Sequence, residues 1–274
     1  MKKFIKSVLI TAFVILGVLI FLISPRMFSK PDTSFLSGPF AHRGYFDNEN
    51  SIPENSLPSF QRAIDAGVGI ELDVALSSDG VAMVFHDKSL ERVCGVEGYI
   101  WEYTCEELQQ MKLLGTEHTI PTLKQAMELI DGKVPVIVEH KMDLVDTAIC
   151  ESSYEVLKDY KGDWCMKSFD PRALMWYKSN APQVVRGQLS EEFWRSEKYA
   201  GSALYTALSY LVGNVVARPD FISYRYTQSD NIALAVCRML GAKTACWTVQ
   251  NQQDYEKYAQ KFDAVIFDSF EIVQ

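Results

Sequence analysis

From Phe40 onward, apolar runs of four to six residues alternate with segments whose apolar positions recur at helical spacing. The runs predict strands at Phe40–Arg43, Ile70–Leu76, Val81–His86, Val134–Lys141, Trp164–Phe169, Val184–Leu189, Phe221–Tyr224, Thr244–Val249 and Ala264–Asp268. Helical spacing marks Leu57–Ala66, Thr122–Ile130, Asp146–Tyr160, Arg172–Ser179, Asp230–Leu240 and Gln253–Lys261. Sustained strand–helix alternation indicates an α/β fold with a mainly parallel sheet. Eight parallel strands close a barrel, and a doubly wound sheet is the competing arrangement.

One connection cannot be parallel. Ile70–Leu76 and Val81–His86 are joined only by Ser77-Ser78-Asp79-Gly80, a turn that permits an antiparallel hairpin alone. With Leu76 opposite Val81, Glu71 faces His86 across the ladder, on the side of the sheet shared by Asp73. Setting that extra strand aside leaves the eight of a distorted TIM-type (β/α)8 barrel.

Before the barrel pattern begins, Ser7–Ser24 runs for 18 residues without a charge. As a helix it spans roughly 27 Å, close to the thickness of a bilayer's hydrocarbon core. It is apolar all round and no small-x-small cleavage site follows it, so an uncleaved transmembrane helix is expected rather than a cleaved signal or a core helix. Lys2, Lys3 and Lys6 precede it, with Arg26 and Lys30 after, which favours the N-terminus inside and the domain outside. The boundaries follow: an anchor with basic flanks at 1–28, a short polar linker at 29–38, and the globular domain at 39–274.

Charge narrows the functions open to that domain. The chain of 274 residues carries a net −8. Its first 30 residues hold five cations and no acid, which leaves −13 for the remainder. A body that acidic repels nucleic acid, so no nucleic-acid partner is expected. The six cysteines lack any zinc spacing. Most read as buried thiols, with Cys94 and Cys105 placed to pair in an oxidising space.

The chemistry gathers early. Glu71 and Asp73 are polar at i and i+2 in an apolar strand, and Glu139 with Lys141 repeats the device after Pro135–Val138. Buried carboxylates are costly unless a cation answers them. Three of them suit Mg²⁺ or Ca²⁺, which prefer oxygen ligands; a salt-bridge network of Glu71, Asp73, Arg43 and Lys141 is the structural alternative. His42 ends the first strand and His86 the hairpin, and of such a pair one can accept a proton while the other donates. Arg43 offers a fork for phosphate oxygens, and Gly44 permits close backbone approach. Asn55 or Ser56 is the expected cap of the following helix, with Pro58 in its first turn and Glu54 a secondary contact of the site. His118 and His140 look incidental. Trp247 is expected in the core or as a wall of the substrate pocket. Phe193–Val216, rich in Trp, Tyr and Leu, predicts a helical cap, with contact to the membrane or an acyl chain as the lesser alternative.

In order along the chain stand HRG (42–44), PENS (53–56), IELDV (70–74), SSDGVAMVFHD (77–87), IPTL (120–123), VEHK (138–141), SFD (168–170), WTV (247–249) and FDAVIFDS (262–269). This series resembles the glycerophosphodiester phosphodiesterases, over nearly the whole soluble part. The resemblance implies a distorted TIM barrel with its site at the C-terminal strand ends. It also implies hydrolysis of small-molecule glycerophosphodiesters to sn-glycerol 3-phosphate and an alcohol, with one divalent cation, Mg²⁺ or Ca²⁺. By that resemblance His42 and His86 are the acid/base pair, Glu71, Asp73 and Glu139 hold the metal, and Arg43 and Lys141 face the phosphate. The departures are an eight-residue gap, 45–52, between HRG and PEN, and VEHK in place of the usual I-E-x-K. The expectation is therefore a membrane-anchored phosphodiesterase with an extracytoplasmic domain. A lysophospholipase D acting on lipid head groups is the alternative within enzymes, and a non-catalytic phosphodiester-binding membrane protein is the alternative outside them.

Overall fold

The computed structural model describes residues 1–144, 146–268 and 270–272; Ser269, within the last motif, lies outside them. Among the described residues nine strands form: β1 (Gly38–His42), β2 (Gly69–Leu76), β3 (Ala82–Val84), β4 (Val136–His140), β5 (Trp164–Ser168), β6 (Val185–Ser190), β7 (Phe221–Arg225), β8 (Lys243–Val249) and β9 (Ala264–Phe267). All but β3 run parallel. They are ordered β1-β9-β8-β7-β6-β5-β4-β2, and the β1–β2 pairing closes the ring. The closed barrel excludes the doubly wound alternative. Each predicted strand and long helix is present to within a few residues.

Alternation of side chains divides the barrel into layers. Ile70, Leu72 and Val74 of β2 point outward into the main core beneath the helices, as do Val136 and Val138 of β4. Phe40, Ile137, Cys165, Val185, Phe221 and Ile266 point inward and fill the N-terminal half of the barrel. Leu36 joins this inner cluster, so the segment read as a polar linker plugs the barrel floor. The next inward positions, toward the C-terminal ends, are His42, Glu71, Asp73, Glu139, Lys167 and Trp247. The apolar layer thus supports a polar one directly above it.

The hairpin register differs by one residue from expectation. Leu76 pairs with Ala82 and Val74 with Val84, because Ser77 turns inward to bond Val81 and absorbs an extra position. Glu71 therefore does not face His86 across a ladder; β3 ends at Val84 and His86 follows in a loop. Two four-residue helices, Glu91–Cys94 and Cys105–Leu108, pack with Met83 and Phe85 into a separate small core. Cys94 and Cys105 are both free thiols, as are the other four cysteines.

The first helix, Lys2–Ile23, is long and apolar enough to cross a membrane, and none of its residues is buried.

Candidate active site

Barrel closure brings distant motifs together. His42 ends β1 beside Glu71 of β2, its register partner, and Asp73 pairs with Glu139 of β4. One oxygen from each of Glu71, Asp73 and Glu139 lies within 4.8 Å of the others. All three carboxylates are buried. His42, Arg43, His86, Glu139, Lys141 and Lys167 line a single pocket of 130 Å³, with Trp247 in its wall.

The turn after β1 is forced by backbone geometry. Arg43 takes φ 58° and Gly44 φ 78°. A Cβ at Gly44 would sit 2.3 Å from Ser59 Oγ, so only glycine lets the strand end pass so close to the next helix. The Arg43 amide donates to Glu71 Oε2 at 3.2 Å, and the Arg43 guanidinium bonds Glu54 at 2.6 Å and lies 3.6 Å from Asp73. Ser56 caps the helix Leu57–Asp65, with Pro58 in its first turn. That frees Asn55, expected as a possible cap, for the site: its Nδ2 donates to Asp73 Oδ2 at 2.9 Å.

Sequence reasoning misses Lys167. It is only 2% exposed, 2.9 Å from Glu71 Oε1 and 3.2 Å from Glu139 Oε2. Lys141 lies 2.9 Å from Asp73 Oδ1 and also pairs with Glu139. Burial works to raise the Asp73 carboxyl, but Lys141, His86, Arg43 and His42 together hold it far below the usual carboxylate range. Glu139 is lowered too, Lys141 and Lys167 outweighing burial and the neighbouring Asp73. Both lysines are shifted upward by the same carboxylates, against their burial.

The expected salt-bridge network is therefore present, and it includes the three carboxylates that could hold a metal ion. The donor set fits a hard divalent cation by its own chemistry: three buried carboxylates with an oxygen from each within 4.8 Å of the others. In addition, Glu71 Oε1 and Asp73 Oδ1 are buried, each met by a lysine ammonium at 2.9 Å.

The histidines are oriented from behind. Asp87 Oδ1 lies 2.6 Å from His86 Nδ1, which assigns the proton to Nδ1 and leaves Nε2 for the pocket. Arg92 holds Asp87 at 2.5 Å and bonds Glu54 through both terminal nitrogens, at 2.9 and 2.7 Å. Glu54 is thus a buried bridge between Arg43 and Arg92, and those two arginines lower its pKa against burial. His42 has Asp268 at 3.5 Å from Nδ1. His140, by contrast, points outward to the Tyr177 hydroxyl at 3.1 Å, and His118 lies in a loop. Beyond the pocket, a cleft of 600 Å³ runs from Glu139 and Lys141 past Phe169 to Phe193, Tyr199 and Tyr205. The insert after β6 forms its far wall, with a helix at Ala203–Ser209.

The profile of the glycerophosphoryl diester phosphodiesterase family matches residues 42–272. The chain belongs to that family. As a member it is an enzyme of the phosphoric diester hydrolase class. A glycerophosphodiester phosphodiesterase of Caldanaerobacter subterraneus subsp. tengcongensis is 30% identical over 250 residues, which cover 83% of this chain and 92% of that one. Among solved structures, a phosphodiesterase of Oleispira antarctica in complex with the product sn-glycerol-3-phosphate is similar at a TM-score of 0.71 and 28% identity, covering 85% of this chain and 94% of that one. A glycerophosphodiester phosphodiesterase of Thermotoga maritima is similar at 0.65 and 28%, covering 84% and 94%.

Proposed function

We propose that this phosphodiesterase cleaves glycerophosphodiesters to sn-glycerol 3-phosphate and an alcohol, with His42 and His86 as acid/base pair and one divalent cation, Mg²⁺ or Ca²⁺, held by Glu71, Asp73 and Glu139. The observation that carries the reading is convergence: both imidazoles and a member of the carboxylate cluster line one pocket with Arg43, Lys141 and Lys167. The Oleispira antarctica structure with sn-glycerol-3-phosphate supports the same product class.

The cation, when bound, neutralises phosphate oxygens and so lowers the cost of charge building up on them. The protein's own groups do the rest. Lys141 and Arg43 give the phosphodiester fixed positive charge. Lys167 keeps Glu71 and Glu139 apart and in place. One imidazole takes a proton from the attacking oxygen, of water or of the neighbouring glycerol hydroxyl. A new P–O bond forms, the P–O bond to the alcohol breaks, and the other imidazole protonates the departing oxygen. Where the glycerol hydroxyl attacks, this step leaves a cyclic phosphate. Water then adds to the phosphorus, breaking one ring P–O bond to give glycerol phosphate, with the same two imidazoles exchanging proton roles. Asp87 fixes which nitrogen of His86 can do this. Trp247 and the aromatic cleft receive the substrate's organic parts.

The test is a product assay on glycerophosphocholine and related diesters with Mg²⁺, Ca²⁺ or EDTA. We expect chelation to abolish release of glycerol phosphate. His42→Ala and His86→Ala should each lose about 10²–10⁴-fold in turnover with folding intact. A variant that keeps more than about a tenth of the wild-type rate at saturating metal refutes the assigned roles.

A lysophospholipase D activity is the second reading, favoured by the width of the 600 Å³ cleft and its Phe169, Phe193 and Tyr205 lining. Comparing a lysophospholipid with glycerophosphocholine separates them. In both readings the first helix anchors the chain in a bilayer with the catalytic domain outside.

A further inference from the structure

The first helix is not joined to the barrel by a slack tether. A helix C-terminus leaves carbonyls unpaired, and here the catalytic domain supplies their donors. Asn214 Nδ2 donates to Ile23 O at 2.8 Å, and Arg218 Nη1 to Phe21 O and Ser24 O, both at 2.9 Å. The Arg26 amide then donates to Pro219 O at 2.8 Å, and its Nη1 to Pro182 O at 2.9 Å. These partners immediately precede β6 and β7, at the N-terminal end of the barrel and opposite the histidines.

A cavity of 500 Å³ opens at this junction, lined by Arg26, Lys178, Arg186 and Arg218 with Phe21 and Phe28. Asp220 is the acid that answers them, 3.6 Å from Arg26 and accepting the Arg186 amide at 3.1 Å. Four cations thus line the cavity, and Asp220 acts on two of them, Arg26 and Arg186. Arg186 is 2% exposed; its Nε donates to Ala217 O at 3.2 Å, while its Nη1 has no acceptor. Lys178 gives one donor to Val216 O at 2.8 Å. The crowding shows in protonation: burial, then Arg186 and Arg218, lower Lys178, and burial and Arg26 lower Arg186 against the pull of Asp220. Asp220 Oδ1 is also buried without a hydrogen-bond partner, so Asp220 does not use up the donors of this cation group. A buried guanidinium with an unused donor among three further cations suits a phosphate. At the same place Phe28 is 84% and Met27 44% exposed. Apolar side chains interleaved with basic ones suit the headgroup layer of a membrane.

We infer that this cavity binds the phosphate of an anionic phospholipid headgroup from the leaflet beside the first helix. The inference rests on the reading of that helix as an anchor. The lipid here is a structural ligand and not a substrate, because the histidines are at the other end of the barrel.

The test takes the full chain in detergent micelles and titrates it with short-chain phosphatidylglycerol, short-chain phosphatidylcholine or inorganic phosphate, reading Tm and bound lipid by native mass spectrometry. Phosphatidylglycerol is expected to bind saturably and raise Tm, with phosphatidylcholine and free phosphate each at least about tenfold weaker. Lys178→Glu, at an exposed position, should weaken phosphatidylglycerol binding by about tenfold with glycerophosphocholine turnover unchanged; Lys178→Ala should fall between. Equal binding by Lys178→Glu and wild type, equal affinity for phosphatidylcholine, or phosphate binding as tight as the lipid overturns the inference. Flotation with phosphatidylglycerol vesicles reads the anchor independently. A chain that binds the lipid in micelles but does not float with vesicles overturns the leaflet as its source, whether or not it hydrolyses diesters.

Discussion

Lys167 shows best what one residue contributes and why it is hard to see. In the sequence it is a single cation in WCMKS, indistinguishable from a solvent-facing lysine at a strand end. Only the parallel register, Glu139 beside Lys167, turns it inward between two carboxylates. The signal is its i+2 spacing from Cys165, an inward position of an apolar strand. His42, His86, Glu71, Asp73 and Glu139 are legible because histidines and carboxylates at the ends of apolar runs are costly to bury unless an ion or a partner meets them. Removing Lys167 leaves buried carboxylates facing one another. Lys167→Met should cost about 3–5 kcal/mol of stability without metal, and added Ca²⁺ or Mg²⁺ should recover a large part of it. Melting curves with and without cation check this; no metal-dependent recovery contradicts the proposed ligand set. Acid exposes the same network. Asp73, Glu139 and Glu54 have lowered pKa values, so the stability they add is complete above the ordinary carboxylate range and is lost as pH falls below it.

Among elements, the strands of the barrel are readable because parallel strands covered on both sides are near-continuous apolar runs. The β2–β3 register is not readable, because it depends on how Ser77 folds into its own turn, which pattern does not record. The two four-residue helices are shorter than the period needed to detect them. Between β4 and the helix Pro171–Asn180, His140 and Tyr177 form a buried pair. Burial holds His140 at about 4, more strongly than the Val138 carbonyl and Glu139 raise it. The unfolded chain, with an ordinary histidine near 6.5, binds the extra proton first. Stability contributed here is therefore whole above about pH 6.5 and declines toward pH 4, by about 3 kcal/mol in all. His140→Gln should flatten that part of the stability profile measured by denaturant titration, and an unchanged slope assigns the acid sensitivity to other groups.

For the whole molecule, ring closure by β1 and β2 and the site at the C-terminal strand ends follow from the motif order. The junction below them does not, because the residues that receive the first helix, Asn214, Arg218 and Arg26, belong to no motif. Asn214 is fully buried and, if Ile23 is removed, keeps only the long contact to Cys237 Sγ at 3.6 Å. A chain beginning at Ser29 should therefore be less stable than one beginning at Ile20, by about 1–3 kcal/mol for each donor left unsatisfied. Equal melting points would show the helix end to be dispensable.

The clamp at that junction also bears on enzymology. A strand rises about 3.3 Å per residue, so barrel strands of four to eight residues put the histidines roughly 15 Å above the floor. With the first helix crossing a bilayer as proposed, the mouth opens into water with its back to the lipid. Such an enzyme should not show surface-dilution kinetics. Its rate should follow the dissolved concentration of diester, and with a lysolipid it should stop rising at the critical micelle concentration.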